Sequence, residues 1–146
     1  MTTNLNFRTM NKVIILFVSI FFMISCSDKY KEEPDGKWDD IIKLSTKNVN
    51  LMAETDSIII TTKGDWWWID CISFEDSTYN YHNREDINLE SDSYSIKEDC
   101  FLVERRDKNT LFVKLNENKT GNVRIMNITL EAGDYFDHVN IKQEAN

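Results

Sequence analysis

An antiparallel β-sandwich is the fold class that the amino-acid sequence predicts. Beyond residue 40 the apolar residues show no 3.6-residue period, which argues against amphipathic helices. Short runs rich in β-branched and aromatic residues are separated there by polar turns. About seven such runs within residues 41–146 favour two stacked antiparallel sheets that form one domain.

The predicted strands follow one another with short connections. Gly64 and Asp65 form one turn, residues 106–109 a second, and residues 132–134 a hairpin connection. Residues 75–99 are polar and irregular, which predicts a crossover between the sheets with one strand around 94–97. The other predicted strands are 41–44, 49–52, 57–63, 66–74, 101–104, 110–115, 122–131 and 135–143.

Alternation along these strands predicts which side chains enter the core, because neighbouring strand residues point to opposite faces of a sheet. In the strand after the first turn, Trp67, Ile69 and Cys71 are expected to point inward. Further inward rows are expected at Leu111, Val113 and Leu115, at Met126, Ile128 and Leu130, and at Val139 and Ile141.

The first 25 residues have the features of a secretory signal peptide. Lys12 precedes the uncharged apolar run 13–24, which is shorter than the roughly 20 residues of a membrane-spanning helix. The run ends at Met23-Ile24-Ser25, directly before Cys26, and this junction resembles the lipobox of bacterial lipoproteins. We therefore expect cleavage before Cys26 and lipidation of its thiol. The alternatives are a core helix or an uncleaved anchor. Translation could also start at Met10, in which case residues 1–9 would not be part of the protein.

Residues 26–40 are predicted to be a flexible tether between the lipid and the domain. Pro34, Asp35 and Gly36 favour an irregular linker. Ser27 stands where some lipoproteins carry the aspartate that retains them at the inner membrane, and Lys31-Glu32-Glu33 resembles the surface-export signal of Bacteroidota lipoproteins. The expected location is therefore the outer membrane, with the lipid-anchored domain exposed at the cell surface; the alternative is a domain that faces the periplasm.

The charge balance excludes one class of partner. The chain has a net charge of −8, and residues 1–25 contribute only positive side chains, so the remaining part is more acidic still. Nucleic-acid binding requires clustered Lys and Arg, so this acidic part of the chain argues against a nucleic-acid partner. A neutral partner such as a glycan remains compatible with the acidic surface.

The C-terminal half resembles the BACON domain of Bacteroidota. The residues that carry the resemblance are Asn118 and Thr120, the alternating strand that Arg124 opens, and the last strand, which closes on Gln143. Trp67-Trp68-Ile69, after the Gly64-Asp65 turn, matches the Trp-x-aliphatic strand of the family's earlier half.

The resemblance implies an immunoglobulin-like sandwich over residues 41–146 and a carbohydrate-binding role. The family's second tryptophan and its glycine-bearing turn have no counterpart in residues 75–99. The middle of the domain is therefore unassigned by the resemblance.

The Trp66-Trp67-Trp68 run is the candidate ligand-binding feature. Strand alternation would turn Trp67 into the core and leave Trp66, Trp68 and Asp70 together on the opposite face. Two coplanar indoles there could stack on the apolar faces of sugars, with Asp70 accepting a hydrogen bond from a hydroxyl. The alternative is that both rings are covered by residues 75–99 or by packing at the sheet edge.

Cys71 and Cys100 are the cysteines that remain once Cys26 is lipidated. Outside the cytoplasm such a pair is compatible with a disulfide, which would stabilise the domain by about 3–4 kcal/mol. The alternative is two buried thiols.

No enzymatic motif is recognisable. His82 and His138 lie in no nucleophile or metal-ligand pattern and are expected to be surface histidines, and no cofactor motif is present. An acidic loop without the spacing of a calcium motif is expected to be solvated rather than to bind a metal. Its members are Asp86, Glu90, Asp92, Glu98 and Asp99.

Two tripeptides, at 56–58 and 76–78, resemble the O-glycosylation acceptor of Bacteroidota proteins. Ser77, which is expected in a loop, is the better candidate, and Ser57 lies at a strand start. The predicted function is thus a non-catalytic envelope lipoprotein that binds glycan. The alternative is a structural or protein-interaction module, such as a spacer or an envelope-assembly subunit.

Overall fold

Residues 38–146 are described by a computed structural model, and they form nine β-strands and no helix. This part of the chain therefore contains no helix that could cross a membrane. The predicted signal peptide, Cys26 and the part of the predicted tether up to Lys37 lie outside the described residues. The strands are β1 Asn48–Leu51, β2 Asp56–Thr61, β3 Trp68–Phe74, β4 Ser77–Asn80, β5 Tyr94–Lys97, β6 Phe101–Arg106, β7 Thr110–Leu115, β8 Arg124–Ala132 and β9 Tyr135–Gln143.

Within this range the strands form two sheets packed as a sandwich. Sheet A has the order β1-β9-β8-β3-β4, and sheet B has the order β2-β7-β6-β5. All neighbours are antiparallel except β1 and β9, which run parallel. The predicted all-β, immunoglobulin-like sandwich is confirmed as a fold class, with nine strands in the described range rather than about seven.

Two elements differ from the sequence prediction. The run 41–44 is not a strand, and its one ladder contact is a bridge between Leu44 and Thr62. Strand β4 was not predicted, because only Tyr79 in it is apolar and the strand lies at the edge of sheet A. A two-residue turn with a positive φ at Glu75 brings β4 back along β3.

The core lies between the sheets and is built from the alternating rows. The predicted inward residues of β7, β8 and β9 are almost fully buried, as alternation requires. Each such aliphatic side chain contributes about 1.5–3 kcal/mol when it leaves water. The rows are Leu111, Val113 and Leu115, Met126, Ile128 and Leu130, and Val139 and Ile141.

A β-bulge interrupts the alternation of β3. Ile69 faces Leu130 of β8 and Cys71 faces Thr129, so Asp70 is an extra residue without a partner in β8. The bulge turns Cys71 away from the core and gives the next inward position to Ile72, which is fully buried. The prediction that Cys71 points inward is therefore wrong, because strict alternation fails after Ile69.

A buried polar cluster joins the ends of β8 and β9. The Arg124 Nε donates to Gln143 Oε1 at 3.1 Å, and Gln143 Nε2 donates to the carbonyls of Asn116 at 3.1 Å and Glu54 at 3.2 Å. Asn118 is fully buried, and its amide donates to the carbonyls of Asn122 and Glu144. The polar residues that carry the BACON resemblance thus satisfy backbone groups inside the fold.

Candidate functional site

The three consecutive tryptophans lie in different environments. Trp67 is only 1% exposed, and its Nε1 donates to Thr62 Oγ1 at 3.0 Å. The guanidinium of Arg105 lies 4.6 Å from its ring centroid, which is a cation–π distance. Its predicted place in the core is confirmed, and the indole is a structural anchor of the fold.

Trp66 and Trp68 form an aromatic corner beside the entry to β3. Trp66 is 65% exposed and Trp68 is half-buried. Their ring centroids are 5.5 Å apart with an interplanar angle of 84°, so the predicted coplanar arrangement is wrong. The edge-to-face geometry arises because Trp66 precedes the regular strand, while the Nε1 of Trp68 is held by Glu131 Oε2 at 3.0 Å. The aromatic corner exposes one broad indole face, that of Trp66.

Gly133 allows Trp66 to lie against the turn between β8 and β9. Its φ is +63°, a left-handed value that the two-residue turn requires. A Cβ at this position would lie 3.3 Å from Cζ3 of Trp66. Glycine therefore serves both the turn and the close approach of the indole.

Two grooves meet at Trp68. The tryptophan groove, of about 430 Å³, contains the aromatic corner and charged groups of both signs. Its lining is Asp65, Trp66, Trp67, Trp68, Glu90, Asp92, Arg105 and Lys108. The histidine groove, also about 430 Å³, is lined by Trp68, His82, Ile87, Asn88, Leu89, Glu90 and Glu131. Both volumes fall in the range of small-ligand sites, which is about 300–1,000 Å³.

Residues 87–90 line the histidine groove, and Glu90 and Asp92 line the tryptophan groove, so part of the segment predicted as a crossover approaches the aromatic corner. It narrows the space around Trp68 and leaves Trp66 open. The alternative in which both rings are covered therefore does not hold for Trp66. Asp70 lines neither groove, although the sequence placed it beside the two indoles.

Asp70 instead belongs to a cluster with His82 and Glu131. The Nε2 of His82 lies 2.8 Å from Asp70 Oδ1. One donor atom from each of the three residues lies within 4.8 Å of the other two. His82 was expected to be an ordinary surface histidine, and only the return of β4 along β3 brings it to this carboxylate. The spacing of Asp70, His82 and Glu131 along the sequence does not indicate that they lie together.

The two described cysteines are free thiols, so of the two alternatives left open by the sequence the structure has no disulfide between them. Cys71 lies on β3 of sheet A and Cys100 lies in the turn before β6 of sheet B. Both thiols are half-buried, so the alternative of two buried thiols is met only in part. Burial raises the pKa of the Cys71 thiol, which keeps it protonated and weakly nucleophilic.

The other candidate residues are dispersed. Asp86 is paired with Arg84, Asp92 with Lys108, and Glu98 accepts from the Tyr81 hydroxyl, so the acidic stretch does not converge on one point. Ser77 is exposed, but it begins strand β4 rather than lying in a loop, because the turn at Glu75 is so short. Ser57 is exposed within β2.

Comparison with known proteins identifies a similar fold. A protein from Bacteroides thetaiotaomicron, solved by NMR, superimposes with a TM-score of 0.57 and 25% sequence identity. The match covers 78% of this chain and 94% of that chain. No family model matches the chain, and no curated protein matches it.

Proposed function

We propose that this protein is a non-catalytic, glycan-binding lipoprotein of the cell envelope, and that Trp66 is its principal ligand contact. The observation that carries the proposal is the large exposed fraction of this indole at the rim of a polar groove. A tryptophan is costly to leave in water unless another surface covers it, so exposed aromatic side chains often mark binding sites.

The chemistry of the tryptophan groove fits a sugar. A pyranose has an apolar face, which stacks on an indole, and a rim of hydroxyls, which both donate and accept hydrogen bonds. Beside the open ring of Trp66 the groove offers an acceptor at Glu90, and the ion pair of Asp92 with Lys108 supplies an exposed acceptor and an exposed donor. The indole of Trp68 is perpendicular to that of Trp66 and would contact the edge of a sugar ring stacked on Trp66.

The BACON resemblance supports the same proposal. A β-sandwich is the fold that the resemblance implies, and the similar solved structure comes from Bacteroides, a genus of the phylum in which the family occurs. Asn118, Arg124 and Gln143 form hydrogen bonds inside the fold, so the resemblance at these positions supports the fold and says nothing about a ligand. The glycan-binding part of the proposal depends on the aromatic corner.

The test is glycan-array binding by the full chain in detergent, with Trp66→Ala as the variant. Removal of an aromatic anchor from a binding surface costs about 1–2 kcal/mol or more, so we expect affinity to fall about tenfold or further. The matched control is Trp38→Ala, since Trp38 is similarly exposed, at 57%, and lines neither groove. Absence of binding by the folded wild type across host and plant polysaccharides would reject this role. That result would favour the structural or protein-interaction module instead.

The envelope location has its own test. Cells that express the full chain and are fed a radiolabelled fatty acid should label the wild-type protein and leave Cys26→Ser unlabelled. The variant should also leave the membrane fraction, because one lipidated cysteine supplies the anchor in this proposal. Equal labelling of both chains would contradict lipidation at Cys26. Digestion of intact cells by added protease would distinguish surface exposure from a periplasmic face.

A further inference from the structure

We propose that Asp70, His82 and Glu131 bind a divalent transition metal of the Zn²⁺ type beside the histidine groove. The three residues offer two carboxylate oxygens and one imidazole nitrogen, a donor set common in zinc sites. They come from three separate places in the fold, namely the bulge of β3, the segment after β4, and β8. Their donor atoms nevertheless lie within 4.8 Å of one another.

The backbone and neighbouring side chains hold these donors in place. The bulge takes Asp70 out of the ladder register with β8. Glu131 is fixed through the hydrogen bond that its Oε2 accepts from Trp68 Nε1 at 3.0 Å. The backbone N–H of His82 donates to Asn80 Oδ1 at 3.0 Å, at the end of β4. Hydrogen bonds of this kind, from groups that do not themselves touch the metal, orient the ligands in metal sites.

The charge of the cluster favours a cation. Among residues 38–146, neither Asp70 nor Glu131 forms an ion pair with a lysine or an arginine. The sole cationic partner there is His82, which bears charge only when it is protonated. Two carboxylates against at most one positive charge leave a net negative site, which a divalent ion would neutralise.

The donor chemistry selects the metal class. Ca²⁺ takes about six to eight oxygen ligands, whereas an imidazole nitrogen suits Zn²⁺ and its neighbours in the first transition row. Tetrahedral zinc with bonds near 2.0 Å separates its donors by about 3.3 Å. The Nε2 of His82 lies 2.8 Å from Asp70 Oδ1, so the pair would have to open slightly. Side-chain exposures of 39% for His82 and 25% for Asp70 leave room for that movement.

Three protein ligands leave one tetrahedral position for water or for a bound molecule. His82 and Glu131 also line the histidine groove, so an oxygen of a molecule in this groove can reach the metal. Trp68 separates this groove from the tryptophan groove and lines both. Metal binding does not rest on the proposed function. A sugar stacked on Trp66 would lie near the metal, but the metal would bind without it.

The experiment is calorimetric titration of ZnCl₂ into the full chain, stripped with a chelator and purified in detergent through a tag that lacks histidine. We expect one saturating site per chain in the wild type. The variants His82→Gln, Asp70→Asn and Glu131→Gln should each weaken binding about tenfold or more, since even outer-sphere changes cost that much. Glu131→Gln keeps an oxygen that can accept from Trp68, so its folding should be preserved.

The matched control is His138→Gln, because His138 is the second of the two histidines and lies on β9, where it contacts Thr129. This variant should retain wild-type affinity. Co²⁺ in place of Zn²⁺ should give the visible absorption of a tetrahedral complex in the wild type and in His138→Gln, and lose it in His82→Gln. The proposal fails if the wild type shows no saturable binding, or if His82→Gln binds as tightly as the wild type. Since these titrations contain no glycan, failure of the glycan array leaves their outcome unaffected.

Discussion

Replacement of Trp67 by alanine is expected to lower the free energy of unfolding by about 3–5 kcal/mol, the cost of truncating a buried aromatic side chain. The indole is 1% exposed and belongs to the core cluster between the sheets, so truncation leaves a cavity that the neighbouring strands cannot fill. It also removes the donor to Thr62 Oγ1 and the ring under the Arg105 guanidinium.

Arg105 increases this cost. Its guanidinium donates to the backbone carbonyls of Asp65 at 2.6 Å and Ser91 at 3.0 Å, and it therefore ties the entry of β3 to the segment that walls the tryptophan groove. Burial lowers the pKa of this guanidinium, although not enough to discharge an arginine. Loss of the ring beneath it would loosen both connections.

Urea unfolding followed by circular dichroism measures the effect without relying on tryptophan emission. The neighbouring change Trp66→Ala provides the control, because its exposed ring should cost less than about 1 kcal/mol. Equal losses for the two variants would contradict the division of the three tryptophans into one anchor and two surface rings.

The same three tryptophans show how far sequence reasoning reaches. Alternation correctly assigned Trp67 and Ile69 to the core, because apolar residues two apart in a strand share a face. It failed at Cys71, because a bulge depends on how β8 pairs with β3 and leaves no local signal. The prediction also assumed coplanar indoles, whereas Trp66 lies edge-to-face with Trp68 and packs beside Gly133, which is distant in sequence.

The cluster of Asp70, His82 and Glu131 could not be predicted from the sequence for a related reason. Its members become neighbours only through the β3–β4 hairpin and the β3–β8 ladder. The hairpin itself was not predicted, since β4 is an edge strand with little apolar character and so resembles a polar loop. The inward rows of β8 and β9, in contrast, could be predicted, because their apolar residues alternate clearly in the sequence.

The replacement of Gln143 by leucine is expected to destabilise the domain by about 1.5–3 kcal/mol, the contribution of a hydrogen bond to a charged group. Arg124 is only 5% exposed, and its Nε donates to the Gln143 side-chain oxygen. Leucine offers no acceptor, so the guanidinium would keep its charge with fewer hydrogen bonds. The carbonyl of Glu54, which accepts from Gln143 Nε2 at 3.2 Å, would lose that donor as well.

A double-mutant cycle with Arg124→Met separates the pair from its surroundings. The double variant should be less destabilised than the sum of the two single variants by about 1–3 kcal/mol, because removing both partners leaves no buried charge without an acceptor. Chemical denaturation of the four chains gives this coupling energy directly. Additive effects would mean that Arg124 and Gln143 act separately. Strong coupling would explain why the BACON-like pattern contains this Arg and this Gln: together they would hold the paired ends of β8 and β9.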